Sequence, residues 1–231
     1  MIKFTETESA AYQKSIIAET GYLAFKDIGK VITKNNINLS KTLDLGCGFG
    51  RSTSYLKQFN PSQFFGSDID ERCVCYCKKH IKDCSFFLNE PSAELYKYQP
   101  FSSIFSVLMF FHLETVYELR RELKKCFLSL NDNGQLVIVT GTHNLYTANY
   151  TSVKGISSPV KSGDKAIIYL KNIDKEVQDV YWSEEQIIEI ATEIGFKSYD
   201  LEYPLAEKGA FLDNLDENVK PPYYILTLCK G

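Results

Sequence analysis

The run Leu43-Asp44-Leu45-Gly46-Cys47-Gly48-Phe49-Gly50 constrains this chain more than any other feature. Thr42 to Leu45 is short, apolar and closed by glycines, as buried parallel strands are. Glycines at every second position let the backbone turn with positive φ and approach a ligand with no Cβ in the way. A helix beginning near Arg51 points its first amides at the same place. Asp44, at the strand's carboxyl end, can bind a cationic group or brace the loop.

The rest of the chain repeats this unit. A helix with Tyr55, Leu56 and Phe59 inward ends at Asn60-Pro61. Strands are predicted at Gln63 to Ser67, Ser85 to Leu88, Ser103 to Met109 and Gln135 to Thr140, with helices at Glu71 to Ile81 and Thr115 to Leu130. Strands separated by helices imply right-handed crossovers and a mainly parallel sheet. Asn131 to Gly134 reads as a turn. Apolar residues at helical spacing from Ser9 to about Asn35 predict one or two helices. Between Gly141 and Val180 the pattern breaks around strand-like runs at Ala166 to Leu170 and Val177 to Trp182. Ser183-Glu184-Glu185-Gln186 is a capping box that opens a helix to Ile194, closed by Gly195. Phe196 to Tyr203 and Tyr223 to Cys229 then read as strands. The expected architecture is α/β: a doubly wound, seven-stranded, mainly parallel sheet with a terminal antiparallel hairpin and helices on both faces. It forms one domain over 1–231, with an N-terminal helical lid (1–40), a core (41–140), an insertion (141–182) and a C-terminal helix with strands (183–231).

Composition removes several functions. The net charge of −3 leaves no basic field for phosphate backbones, so nucleic acid is disfavoured as a partner. Met1 to Glu8 lacks the basic start and apolar run of a signal peptide, and no stretch is long enough to span a bilayer, so the expected location is cytoplasmic, without a membrane partner. The seven cysteines are an odd number and read as reduced thiols. Cys73, Cys77, His80 and Cys84 invite a zinc reading, but Val74, Cys77 and Ile81 form a stripe that should face the sheet, and no metal is expected.

The alternating Gly46-x-Gly48-x-Gly50 resembles the first motif of the class I, Rossmann-like SAM-dependent methyltransferases, and the resemblance extends over the order of elements from about Ala11 to Lys230. It implies S-adenosyl-L-methionine (SAM) as cofactor, with Asp44, Gly46, Cys47, Gly48 and Gly50 around its methionyl part and the acid ending the next strand on both ribose hydroxyls. In Phe64-Phe65-Gly66-Ser67-Asp68-Ile69-Asp70 that acid is Asp68, about two dozen residues beyond Asp44, and Ile69 then lines adenine. Aligning Ser92-Ala93-Glu94-Leu95 on the family's usual Asp-Ala-Glu-x-Leu puts Ser92 where many members carry an acid, which leaves a backbone contact near Ser92 and Ala93. Met109, closing the fourth strand, joins the cofactor set. Tyr12 resembles the tyrosine that some relatives close over SAM. A second common acid is missing from Ser102-Ser103-Ile104-Phe105. The rival dinucleotide fingerprint, Gly-x-Gly-x-x-Gly, needs a glycine where Arg51 stands.

His112 follows the fourth strand and His143 the fifth, both at carboxyl ends, where open α/β sheets place ligands. A hydroxyl or protonated amine acceptor needs a base, for which imidazole is apt; His143 is the candidate base and His112 the candidate orienter. Tyr146, Tyr150, Tyr181 and Trp182 could wall an acceptor pocket under the insertion. The resemblance implies methyl transfer to an N or O atom of a small-molecule acceptor. The alternatives are a protein acceptor, or a SAM-binding partner without catalysis.

Overall fold

The computed structural model describes residues 19–89, 93–207 and 216–231. Among these residues ten strands form two sheets: β1 (Lys41–Leu45), β2 (Gln63–Asp68), β3 (Ser85–Leu88), β4 (Phe101–Val107), β5 (Leu130–Gly141), β6 (Val153–Ser157), β7 (Lys165–Leu170), β8 (Lys175–Val180), β9 (Ser198–Glu202) and β10 (Tyr223–Cys229). The main sheet has the order β3-β2-β1-β4-β5-β10-β9. Its first five strands run parallel, and β10 is antiparallel to both β5 and β9. The winding reverses between β1 and β4, so a crevice opens at the carboxyl ends of those two strands.

Side chains alternate between the two faces with the period of a strand, and both faces are covered. Leu43, Phe65, Ile104, Leu136, Ile138 and Leu226 pack under the helices Val116–Ser129 and Glu184–Ile194. Phe64, Phe105, Val137, Val139 and Ile225 pack on the opposite face with residues 23–31 and the insertion. Helix starts follow local chemistry. Thr115 and Glu118 close a reciprocal capping box, and Ser183 Oγ accepts from the Gln186 amide at 3.3 Å.

Several elements depart from the sequence-based expectation. Within the expected N-terminal lid, Leu23, Ala24, Phe25, Ile28 and Val31 are buried core residues that pack on the sheet beside Tyr223 and Ile225 of β10, and residues 1–18 lie outside the described residues. Lys30 and Lys34 pair with Glu202 and Asp200 of β9 at 2.6 and 2.7 Å. Such exposed pairs fix orientation more than stability. The fourth strand is Phe101–Val107, which leaves Met109 in the following loop. The turn expected at Asn131–Gly134 is absorbed into β5 as an irregularity, with Asn133 at φ 62° and a register slip between Phe101↔Leu130 and Ser103↔Gln135.

The insertion is a three-stranded antiparallel sheet, β6-β7-β8. β6 was not expected, since Val153-Lys154-Gly155-Ile156-Ser157 buries only Val153 and carries no clean alternation. Tyr146, Tyr150, Tyr181 and Trp182 are buried between this sheet and the core rather than arrayed around a pocket. Trp182 Nε1 donates to the Leu113 carbonyl at 3.1 Å, which bolts the insertion to the loop after β4. Among the described residues no helix is long and apolar enough to cross a membrane.

Candidate functional site

At the switch between β1 and β4 lies a cleft of about 640 Å³. Its floor is the glycine loop. The Gly46 and Cys47 amides donate to the Ser67 carbonyl at 2.8 and 3.0 Å, turning the chain sharply at the end of β1. Gly46 has φ 75°, and a Cβ there would stand 2.4 Å from Met109 Cγ. Gly50 has φ 87°, and a Cβ there would stand 2.1 Å from Ile81 Cδ1. These two glycines are thus required by backbone hand and by space.

Asp68 ends β2 and faces the cleft. Its carboxylate accepts from the Gly48 amide at 2.8 Å and the Asp70 amide at 2.9 Å, one per oxygen. Each carboxylate oxygen keeps a further lone pair. Burial raises its pKa, against the lowering effect of those two amides. Ile69, beside it, is 54% exposed and lines the cleft, an apolar surface suited to a flat ring. Asp70 caps the helix Glu71–His80 and holds Arg72.

Asp44 does not line the cleft. It is fully buried, and its Oδ2 accepts from Ser52 Oγ at 2.7 Å and Thr53 Oγ1 at 2.5 Å, bracing the helix Arg51–Leu56 against β1. Among the described residues its Oδ1 has no hydrogen-bond partner. Burial lifts the carboxyl to about 6, even though both hydroxyls oppose the shift.

Cys47 and Met109 both line the cleft. The Cys47 and Cys77 thiols share the Gly48 carbonyl, at 3.7 and 3.3 Å, and the neighbouring thiol with burial keeps Cys47 well above the ordinary thiol pKa. Cys73, Val74 and Cys77 pack inward, as the stripe implied, with Cys75 exposed. Among the described residues no group of three or more His, Cys, Asp or Glu is arranged to hold a metal. Tyr12 and Ser92 lie outside the described residues. Ala93 begins the short helix Ala93–Tyr96.

The two histidines separate. His112 lines the cleft, where the surrounding walls desolvate its ring and pull its pKa below the ordinary imidazole value, while the Asp68 charge opposes that shift. His143 is not brought to the cleft. Its Nε2 is 3.0 Å from the Pro159 carbonyl, and its ring stands edge-on to Tyr181. It ties the end of β5 to the insertion, which removes the geometric case for it as a base. His143→Ala is therefore expected to leave S-adenosylhomocysteine (SAH) affinity within twofold of the unmutated protein by calorimetry; a tenfold loss would return it to the cleft.

Other cleft residues were not singled out by sequence. Phe25 reaches it from the N-terminal helix, Phe111 from the loop after β4, and Gln178 and Val180 from β8 of the insertion. Arg51 also lines it, donating to the Gly21 carbonyl at 3.2 Å with its guanidinium 4.8 Å above the Phe25 ring. Leu108 adopts φ 62° as β4 leaves the sheet, a conformation that costs a branched side chain energy and aims the next residues across the crevice. Only Arg51 carried a usable signal, a large cation immediately after the glycines.

Residues 43–138 match the profile of the Methyltransferase domain family. No curated protein sequence matches the chain. Solved structures of similar fold include the PH0226 protein of Pyrococcus horikoshii, with 15% identity, coverage of 99% of this chain and 100% of that one, and a TM-score of 0.69. Another is a S-adenosylmethionine-dependent methyltransferase of Clostridium acetobutylicum, at 13% identity, 96% and 97% coverage and a TM-score of 0.66. A third is a SAM-bound amino pentose methyltransferase from Micromonospora echinaspora, at 12% identity, 99% and 98% coverage and a TM-score of 0.60.

Proposed function

This chain carries a class I, SAM-dependent methyltransferase domain, and from that premise we propose that it transfers the SAM methyl group to an N or O atom of a small-molecule acceptor. The observation that carries the reading is Asp68, oriented by the Gly48 and Asp70 amides at the cleft with Ile69 exposed beside it. Its free lone pairs suit the two ribose hydroxyls, and Ile69 suits a face of adenine. The backbone of the glycine loop, with Gly46 and Gly48 in the cleft wall, suits the methionyl end. Bound there, SAM supplies a sulfonium-activated methyl group.

The chain's own residues would position and desolvate the reactants. Phe25, Phe111 and Val180 give the cleft an apolar acceptor end, and His112, whose pKa desolvation lowers towards the neutral form, can accept a proton there. Calorimetry with SAM, SAH and NAD tests the cofactor; binding of NAD without SAM would sink the reading. Labelled SAM incubated with fractionated metabolites and macromolecules tests the acceptor, and label in protein alone would reassign it.

Asp44 makes cofactor binding pH-dependent. With its carboxyl near 6, it is ionised above that pH, where it accepts the Ser52 and Thr53 hydroxyls that brace the glycine loop's helix most strongly, and it is neutral below. SAH affinity should thus be flat from pH 8 to 7 and then fall towards pH 5, by at most about tenfold per pH unit. Asp44→Asn should flatten the profile; an unchanged slope in that variant would assign the titration elsewhere.

A further inference from the structure

Arg51, the residue that breaks the dinucleotide fingerprint, stands directly after Gly50. Its half-buried side chain lines the cleft and reaches the N-terminal segment. There Nη2 donates to the Gly21 carbonyl at 3.2 Å, and the guanidinium lies 4.8 Å from the centre of the Phe25 ring. Gly21 makes the room, since a Cβ at that position would stand 3.0 Å from Nη2. A carbonyl on one side and an aromatic face on another hold the planar group in one orientation. A guanidinium carries five N–H donors in a rigid fork, enough to keep a carbonyl and grip a carboxylate together. The other arginines and lysines that line the cleft belong to different elements. Arg72 is paired with Asp70 at 2.5 Å, and Arg121 and Lys125 stand on the helix Val116–Ser129, which covers the face of the sheet opposite Phe25.

We propose that Arg51 binds the carboxylate of the SAM methionyl group and thereby selects the cofactor with its amino-acid end intact. The assignment deepens the methyl-transfer reading and rests on it. The methionyl end is a zwitterion, and its carboxylate leaves water at high cost unless a cation or several donors receive it. Asp68, held at 2.8 Å by the Gly48 amide, repels such a group, so the counter-charge must come from another side of the glycine loop. Arg51 supplies it one residue beyond the loop, in the fork geometry that pairs with a carboxylate through two charge-assisted bonds. Phe25 also lines the cleft, so the guanidinium that grips the cofactor props a wall of the acceptor end as well.

The test is calorimetry on the full chain with two ligands, SAH and decarboxylated SAH, which keeps the adenosine, thioether and amine and lacks only the carboxylate. Arg51→Ala is expected to weaken SAH binding by about tenfold to a hundredfold, as the loss of charge-assisted bonds implies. Decarboxylated SAH should bind that variant within twofold of the unmutated protein, or more tightly because a cation near its amine is gone. Arg51→Lys, which keeps the charge and loses the fork, should fall between the two for SAH. Unchanged SAH affinity in Arg51→Ala would overturn the assignment. So would equal losses for both ligands, which would make Arg51 a brace for Gly21 and Phe25 alone. Should Arg51→Ala fail to fold, Arg51→Lys decides by the same comparison. An unmutated chain that binds SAH indifferently to Arg51 sinks only this assignment, whereas one that binds no SAH sinks the methyl-transfer reading with it.

Discussion

Asp68→Ala is expected to weaken SAM and SAH binding by a hundredfold or more. Two hydroxyl bonds to a carboxylate contribute about 1.5–3 kcal/mol each, and about 1.4 kcal/mol is a factor of ten in affinity. The structure adds a second source of loss. The same carboxylate accepts from the Gly48 and Asp70 amides, so its removal strands two donors and frees the glycine loop. Asp68→Asn separates the two effects, because its amide oxygen still accepts one backbone bond while the negative charge is gone. Calorimetry should rank unmutated, Asn and Ala in falling affinity, and SAH binding indifferent to both changes would show that the cofactor lies elsewhere.

Gly50→Ala should be the most destabilising single change in the loop. A residue with a Cβ at φ 87° costs about 1–2 kcal/mol. Its methyl would meet Ile81 Cδ1 at 2.1 Å and Cys77 Sγ at 3.1 Å, an overpacking of about 1–3 kcal/mol. Together these imply about 2–5 kcal/mol, or roughly 4–20 °C in Tm for a chain of this size. The helix Glu71–His80, which carries Cys77, would have to move away from the loop. A variant melting within a degree of the unmutated protein would show that this packing is looser than drawn.

The legible parts of the molecule were those decided by neighbours in sequence. Glycines after an apolar strand, Asp68 at the end of the next strand and a hydroxyl cap before Glu184 each state their chemistry within a few residues. The seven-stranded sheet followed, because strand and helix periods alternate without ambiguity from Leu43 to Leu136. What failed to show was set by distant partners. Leu23 to Val31 looks like any amphipathic helix until β10 is laid beneath it. His143 sits where a base would sit, and only the Pro159 carbonyl reveals its engagement. Asp179 fell within a run that reads as a strand, yet nothing local says that its carboxyl is buried. Leu108 carries a positive φ that no leucine advertises.

The place of β10 between β5 and β9 sets an order of assembly. Among the described residues β9 has no partner in the main sheet except β10, so it joins once Tyr223–Cys229 has paired with β5. A chain emerging from the ribosome can lay down the five parallel strands and the glycine loop, but its β5 edge stays open until Tyr223–Cys229 has been made. The Tyr224 hydroxyl, which donates to the Trp182 carbonyl at 2.9 Å, arrives with that last strand. The segment leading out of the insertion is thus fastened only after β10 is made, and a chain that stops short of β10 presents β5 as a sticky edge with the glycine loop already formed.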